Sequence, residues 1–99
     1  MAEAYIIDAC RTPRGIGKVG KGALAHIHDD IIWGTSSQRG AQGADLGRMA
    51  ALDAGYDIKA SGVTLDRFCG SGITSVALAA AQVMSGMEDC VIAGGTEMM

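Results

Sequence analysis

Short apolar runs alternate with polar, glycine-punctuated segments along the chain, and this pattern predicts strands that alternate with helices. Three runs have the composition of strands: Ala4–Cys10, Ile31–Gly34 and Gly62–Arg67. A fourth, Cys90–Gly95, is continuously apolar and ends in Gly-Gly, a pattern typical of a parallel strand buried on both faces. The order of the elements therefore predicts an α/β fold with a mostly parallel sheet.

Segments between these runs predict helices. Asp45 can cap a helix over Leu46–Ala54, and Gly55 is expected to end it. A shorter helical start, Ala23–His28, follows a glycine- and lysine-rich loop over Gly15–Gly22 and is cut short by two aspartates.

The longest predicted helix, Ser71–Ser85, is apolar on almost every side. A stripe with helical spacing is expected to form one buried face: Ile73, Val76, Ala77, Ala80, Val83 and Met84. A helix without a wet face lies between two layers of structure, and 99 residues do not supply both. We therefore expect the chain to lack part of its own surroundings.

Length, charge and composition argue against several classes of protein, namely nucleic-acid-binding, secreted and membrane-spanning proteins. A chain of 99 residues forms one domain at most, and a net charge of -3 without a run of basic residues argues against nucleic-acid binding. Residues 1–4 lack the pattern of a secretory leader, and charges interrupt every segment that approaches membrane-spanning length. The sequence therefore predicts a soluble, cytoplasmic chain with no membrane or nucleic-acid partner.

Three cysteines, Cys10, Cys69 and Cys90, form an odd number at wide spacing, without a CxxC pair or a Cys/His cluster. This favours reduced thiols and no metal site. Cys10 and Cys90 lie within apolar runs and are expected to be small core residues. Cys69 differs because it lies in Phe68-Cys69-Gly70-Ser71-Gly72, between a predicted strand and a predicted helix.

A thiol at a helix start faces unsatisfied backbone N–H groups and the positive end of the helix dipole, and both favour the thiolate. The glycines beside Cys69 leave room for a substrate carbonyl to reach the sulfur. On position alone, a nucleophile and a small residue that fills a crowded turn are equal alternatives. Ser71 does not stand in a G-x-S-x-G motif because position 69 is cysteine, so its hydroxyl is expected to cap the helix.

Two further patterns are interpreted as coincidental. Gly15–Gly20 fits the dinucleotide-binding motif, but the helix and the acidic residue that the motif requires are missing. Gly15–Lys21 fits most of a phosphate-binding loop, but Gly22 stands where Ser or Thr is required, so a flexible basic loop is predicted. His26 and His28 would point in different directions on a strand or a helix, which favours surface histidines over a shared metal site.

Three segments, taken in order, resemble the N-terminal part of the thiolase family, which includes acetyl-CoA acetyltransferases and 3-ketoacyl-CoA thiolases: Ala4–Pro13, Phe68–Gly72 and Ala93–Met98. Asp30–Gly34 is similar to the family's second strand, and Arg48 matches the arginine of the next helix. The resemblance implies a thiolase-like layered α/β fold, with residues 1–99 as a partial N-terminal domain and the nucleophile on a buried helix.

By the same resemblance, Cys69 accepts an acyl group from acyl-CoA as a thioester, and its backbone N–H contributes to an oxyanion hole. The implied reactions are thiolysis of 3-oxoacyl-CoA by CoA and condensation of two acyl-CoA molecules. The implied partners are acyl-CoA and CoA as substrates, with no permanently bound cofactor, and further copies of the chain in a dimer or tetramer.

The chain departs from the family pattern at several positions. Cys10 stands where an aliphatic residue is usual, Asp66 where asparagine is common, and Ala44-Asp45-Leu46 where Asn-Pro is usual. A long helix expected before the second strand is missing between His28 and Asp29.

The family's activating histidine, its second catalytic cysteine and its CoA-binding loop belong to a C-terminal half that these 99 residues do not contain. Neither His26 nor His28 matches a family motif, so the isolated chain is expected to be a poor catalyst or none. Two alternatives stay open: a non-catalytic or truncated module that folds only against a partner subunit, and a relative of the ketoacyl synthases. The Cys-Gly-Ser-Gly run resembles thiolases more closely than ketoacyl synthases.

Overall fold

A computed structural model describes residues 3–7, 9 and 30–98 of the chain. Within them, three strands alternate with two α-helices, and a short 3-10 turn over Gly40–Gln42 precedes the first helix. The elements are β1 (Asp30–Gly34), α1 (Leu46–Asp53), β2 (Ser61–Leu65), α2 (Ser71–Met84) and β3 (Val91–Gly95).

The three strands form a parallel sheet in the order β2-β1-β3. The central strand β1 is the most buried, and Ile31 and Ile32 are only 1% and 2% exposed. At the carboxyl end of β1, Gly34 lies opposite both Leu65 and Gly95. The predicted α/β fold with a parallel sheet is confirmed.

The two helices cover opposite faces of the sheet. A Cβ on Gly47 of α1 would lie 2.8 Å from Trp33 Cβ and 3.1 Å from Ile31 Cγ2, so these alternate residues of β1 face α1. On the other face, a Cβ on Gly34 would lie 2.7 Å from the backbone carbonyl carbon of Ser71 in α2. The described residues therefore form a helix-sheet-helix sandwich. Its buried core is Ile31, Ala51 and Ala60, with Trp33, Tyr56 and Ile92 packed against it.

The ends of α1 follow the predicted signals. The Asp45 side chain accepts a hydrogen bond from the backbone N–H of Arg48 at 3.1 Å. At the other end, Gly55 has a φ of 82° and the backbone N–H of Tyr56 donates to the Ala51 carbonyl at 2.9 Å. This Schellman geometry requires a left-handed residue, which explains the glycine.

The buried face of α2 differs from the predicted stripe. Ser71, Ser75 and Ala79 are the buried residues, whereas Ile73 is 79% exposed. The reason is a close approach of helix and sheet, because the Ser75 hydroxyl reaches the Gly94 carbonyl at 3.0 Å and leaves no space for a large side chain. The predicted buried stripe is therefore wrong, because Ile73, Val76, Ala77 and Met84 are exposed. Their exposure agrees with the expectation that the chain lacks part of its surroundings.

Two strand predictions also need correction. The run at residues 90–95 forms β3, but within the described sheet β3 is a half-buried edge strand, because β1 takes the central position. Residues 4–7 and 9 are neither strand nor helix, and Tyr5, Ile6 and Ile7 are each more than 70% exposed. No described strand pairs with this segment, and unpaired strands are not stable.

Several predictions fall on residues outside the described ranges: the loop over Gly15–Gly22, the helical start at Ala23–His28, and Cys10. Across residues 3–7, 9 and 30–98, none of the helices combines the length and the apolar character that crossing a bilayer would require.

Candidate active site

The carboxyl ends of the three parallel strands open into one cleft of about 500 Å³. Parallel α/β sheets commonly bind ligands at this edge, because the loops that follow the strands meet there. The lining comes from the segments after β1, β2 and β3 and from the start of α2: Gly34, Ser36, Ser37, Phe68, Cys69, Ser71, Gly72, Gly95, Thr96 and Glu97.

Cys69 lies in this cleft as an exposed free thiol. It belongs to the turn between β2 and α2, directly before Gly70, the N-cap of α2. Among the residues that the structure describes, none accepts a hydrogen bond from the Cys69 backbone N–H. The thiol is therefore available to a molecule in the cleft.

The residue before the cysteine has an unusual backbone. Phe68 has a φ of 45°, in the left-handed region that large side chains rarely adopt, and its side chain is 83% exposed. Phe68 therefore gains little from packing, and hydrogen bonds must hold this conformation.

Ser71 supplies two of these hydrogen bonds. Its Oγ accepts from the Arg67 backbone N–H and donates to the Phe68 carbonyl, each at 2.8 Å. The predicted helix cap is therefore wrong, because Gly70 is the N-cap and no side chain caps this helix. The hydroxyl points back into the turn, where it braces Arg67 and Phe68.

A second serine links the turn to the neighbouring strand. Ser36, two residues after β1, donates from Oγ to the Phe68 carbonyl at 2.9 Å and lies 3.3 Å from Ser71 Oγ. The turn that carries Cys69 is thereby joined to the loop after the central strand.

Glu97, which follows β3, completes the network. Its Oε2 accepts from the Ser36 backbone N–H at 2.8 Å, and its Oε1 accepts from the Ser37 backbone N–H at 3.1 Å. The Ser36 backbone N–H contributes most to lowering the pKa of Glu97 below its ordinary value of 4.5, followed by the Ser37 hydroxyl and backbone N–H. Desolvation and the Asp66 charge oppose this shift. The carboxylate is therefore ionised at neutral pH and joins the ends of β1 and β3.

Two further contacts fix the segment after β3. Trp33 Nε1 donates to Thr96 Oγ1 at 3.0 Å, and the Met98 backbone N–H donates to Gln42 Oε1 at 2.8 Å. Gln42 in turn donates to the Ser37 carbonyl at 2.7 Å.

The sequence identified Cys69 and Ser71, but it did not single out Ser36 or Glu97. A usable signal was present, because each apolar strand is followed at once by short polar residues, Thr35-Ser36-Ser37 after β1 and Thr96-Glu97 after β3. In a parallel sheet, such residues meet at one edge.

The other candidates lie elsewhere. Cys90 is half-buried just before β3, at the opposite end of that strand from the cleft. His26 and His28 fall outside the described residues. Within residues 3–7, 9 and 30–98, no His, Cys, Asp and Glu side chains are grouped as a metal ion would require.

A family model and the sequences of known proteins both show similarity to thiolases. The family model described as "Thiolase, N-terminal domain" matches residues 4–99. The chain is 38% identical to the steroid 3-ketoacyl-CoA thiolase FadA6 of Mycobacterium tuberculosis, with all of this chain and 29% of that protein covered. It is 34% identical to the beta-ketoadipyl-CoA thiolase of Acinetobacter baylyi, with all of this chain and 30% of that protein covered.

The fold is similar to a solved structure as well. The acetyl-CoA acetyltransferase of Bacillus anthracis superposes with a TM-score of 0.66 and is 38% identical, over 72% of this chain and 18% of that structure. The chain thus spans less than a third of the length of the curated relatives it matches.

Proposed function

Because this chain belongs to the thiolase family, we propose that it takes part in acyl transfer between coenzyme A thioesters, with Cys69 as the residue that accepts the acyl group. One observation carries the proposal: an exposed thiol lies in the cleft where the three strands end. The hydrogen bonds from Ser71 to Arg67 and Phe68 support it, because a nucleophile must be held in position.

The proposed step exchanges one thioester for another. The Cys69 sulfur attacks the carbonyl carbon of acyl-CoA, a new carbon–sulfur bond forms, and the bond to the CoA sulfur breaks. The electron pair of that bond leaves with CoA, which takes up the proton that the cysteine thiol released. The acyl group then passes from Cys69 to a second CoA, or to the carbanion of a second acyl-CoA.

The backbone N–H of Cys69 is a candidate donor to the negative charge that develops on the substrate carbonyl oxygen. Attack on the carbonyl places negative charge on its oxygen, and a free N–H within the cleft can stabilise that oxyanion. The Cys69 N–H has no acceptor among the described residues, which supports this use.

The 99 residues supply only part of such a site. The family resemblance assigns proton transfer to a histidine and a second cysteine in a C-terminal half. We also propose that a helical segment is missing between His28 and Asp29. The alignments with the two thiolases span 122 and 120 positions, although this chain has only 99 residues. The relatives therefore carry residues that have no counterpart in this chain, which supports the missing segment.

Incubation of the chain with acetyl-CoA tests the nucleophile. Mass spectrometry of the peptides should find acetylation at Cys69 about tenfold faster than at Cys90 or Cys10, because Cys69 combines an open cleft with a helix start, which Cys90 lacks. The transfer should be slow, since no histidine lines the described cleft to activate the thiol.

Two controls make the test specific. A Cys69→Ala variant should leave the other two thiols acetylated at their original rates, and the urea-unfolded chain should label all three equally. Equal labelling in the folded chain, or no labelling at Cys69, would remove the proposed nucleophile.

A second function is favoured by a different observation. The outward face of α2 exposes Ile73, Val76 and Met84 side by side, and contiguous exposed apolar surface is typical of interaction sites. We therefore keep the alternative that the chain is an assembly module that folds fully only against another subunit, as a homo-dimer or tetramer would provide. A compact monomer in sedimentation at micromolar concentration would exclude it.

A further inference from the structure

Building on the proposed role of Cys69, we propose that Glu97 is a positioning residue: through Ser36, its carboxylate holds the backbone turn that presents Cys69 to the cleft. The chain of contacts runs from the end of β3 to the loop after β1, and from there to the turn after β2.

The Phe68 backbone N–H donates to Asp66 Oδ1 at 2.9 Å, which supports the turn locally but does not fix where it lies relative to the sheet. A non-glycine residue with a φ of 45° costs on the order of 1 kcal/mol, and such a conformation persists only when its surroundings fix it. The contacts of Ser71 come from the adjoining helix, so they fix the shape of the turn itself. Ser36 comes from a different strand, so its bond to the Phe68 carbonyl fixes where the turn lies relative to the sheet.

Glu97 in turn fixes Ser36. Two adjacent backbone N–H groups, those of Ser36 and Ser37, donate to the two oxygens of one carboxylate. Hydrogen bonds to a charged acceptor are about twice as strong as neutral ones, and two together define both the position and the direction of the peptide. Ser36 Oγ is thereby held within reach of the Phe68 carbonyl.

The same contacts argue against Glu97 as a general base. Both of its oxygens are occupied by N–H donors, and these donors lower the pKa of the carboxyl, so it is a poor proton acceptor. Its contribution is therefore to hold the backbone in place.

The test compares Glu97→Gln with Glu88→Gln in the full chain. Both variants remove one negative charge, but Glu88 lies after α2 and outside the cleft. In Glu97→Gln, the side-chain NH2 group takes the place of one acceptor oxygen and cannot accept a hydrogen bond from a backbone N–H. Hydrogen exchange at the Ser36 and Ser37 amides should therefore rise about tenfold. Exchange should rise comparably at the Arg67 and Gly70 amides of the turn.

Hydrogen exchange at the Arg67 and Gly70 amides distinguishes a Glu97 that positions the Cys69 turn from one that orders only its immediate contacts. If Glu97 ordered only the loop after β1, the Ser36 and Ser37 amides would exchange faster and those of Arg67 and Gly70 would not. If the variant merely weakened the whole fold, the amides of α1 would accelerate equally. Either pattern would overturn the proposal, and Glu88→Gln should show neither.

Acetylation of Cys69 provides the functional measurement. It should fall about tenfold in Glu97→Gln and in Ser36→Ala, because a misplaced nucleophile reacts slowly, and stay unchanged in Glu88→Gln. Ser36→Ala should leave the Ser36 and Ser37 amides protected, since it removes only the hydroxyl. A wild-type rate in Glu97→Gln would refute the positioning role. If the unmodified chain is never acetylated, the proposed function fails, and the exchange data still decide whether Glu97 holds the turn.

Discussion

Phe68 shows how much the turn depends on a single backbone angle. Its φ of 45° would suit glycine, yet an aromatic side chain stands there and is 83% exposed. The residue therefore carries conformational strain without the packing energy that a buried phenylalanine would gain.

Replacement of Phe68 by Gly should raise the free energy of unfolding by up to about 1 kcal/mol, because glycine adopts positive φ without a steric cost. Phe68→Ala keeps the strain and loses little burial, so it should change stability by less than about 0.5 kcal/mol. Urea denaturation of the three chains measures both effects, and a Gly variant less stable than the Ala variant would contradict this account of the strain.

Glu97 gives the cleft a defined response to acid. Its pKa is lowered in the folded chain, so the stabilisation it provides is complete above the ordinary glutamate value of 4.5. That stabilisation should be lost as the pH falls through the lowered pKa. Unfolding measured from pH 7 downwards should therefore show a difference between wild type and Glu97→Gln that is constant at first and then disappears. A constant difference down to pH 2 would mean that the carboxylate charge is not responsible.

The residues of the cleft differ in how far the sequence predicts them. Cys69 was predictable because its local environment, a strand end followed by glycines and a helix, is written in consecutive residues. Ser36 and Glu97 were not singled out, since their partnership joins positions 61 residues apart and depends on which strands become neighbours. Sequence pattern gives the alternation of strands and helices but not the strand order.

Among the elements, α2 and the sheet approach more closely than their hydrophobic pattern suggests. Gly34 lies against the Ser71 backbone, and the Ser75 hydroxyl reaches the sheet, so small residues form the contact. Periodicity finds the most apolar side of a helix, whereas here the side with small residues is the one that packs. The caps and ends of α1 were predictable because they depend on Asp45 and Gly55 alone.

Gly34→Ala and Gly72→Ala form a matched pair that tests this contact. A Cβ on Gly34 would lie 2.7 Å from backbone atoms that cannot move aside, so this variant should lose about 1–3 kcal/mol of stability. A Cβ on Gly72 would meet nothing within 4 Å, and alanine favours the helix, so this variant should gain up to about 1 kcal/mol. Denaturation midpoints measure both, and equal stability of the two variants would show that helix and sheet are not in close contact.

At the scale of the whole molecule, the described residues cover β1 on both faces and leave the outer side of α2 uncovered. Ile73 is 79% exposed and lies on that side with Val76 and Met84. The expectation that the chain lacks part of its surroundings came from the sequence, and the exposed apolar side of α2 is consistent with it.

Ile73→Ser should reduce the association of the chain with itself, because it removes apolar area at the outer side of α2. Its folding stability should stay within about 0.5 kcal/mol, since the side chain is exposed. Sedimentation velocity over a range of concentrations measures the change. Ile58→Ser, at a residue 76% exposed between α1 and β2, is the control, and an equal effect of both variants would argue for non-specific association.

The strand order also dictates when the Cys69 turn can be held in place during synthesis. The Cys69 turn leaves the ribosome before β3, but the carboxylate that holds Ser36 lies beyond β3 at position 97. A nascent chain that ends before this point can form α1 and pair β1 with β2, and Ser71 can already shape the turn, but the contact from Glu97 to Ser36 is still absent. We therefore expect the Cys69 turn to take its final place relative to the sheet only after the third strand has joined.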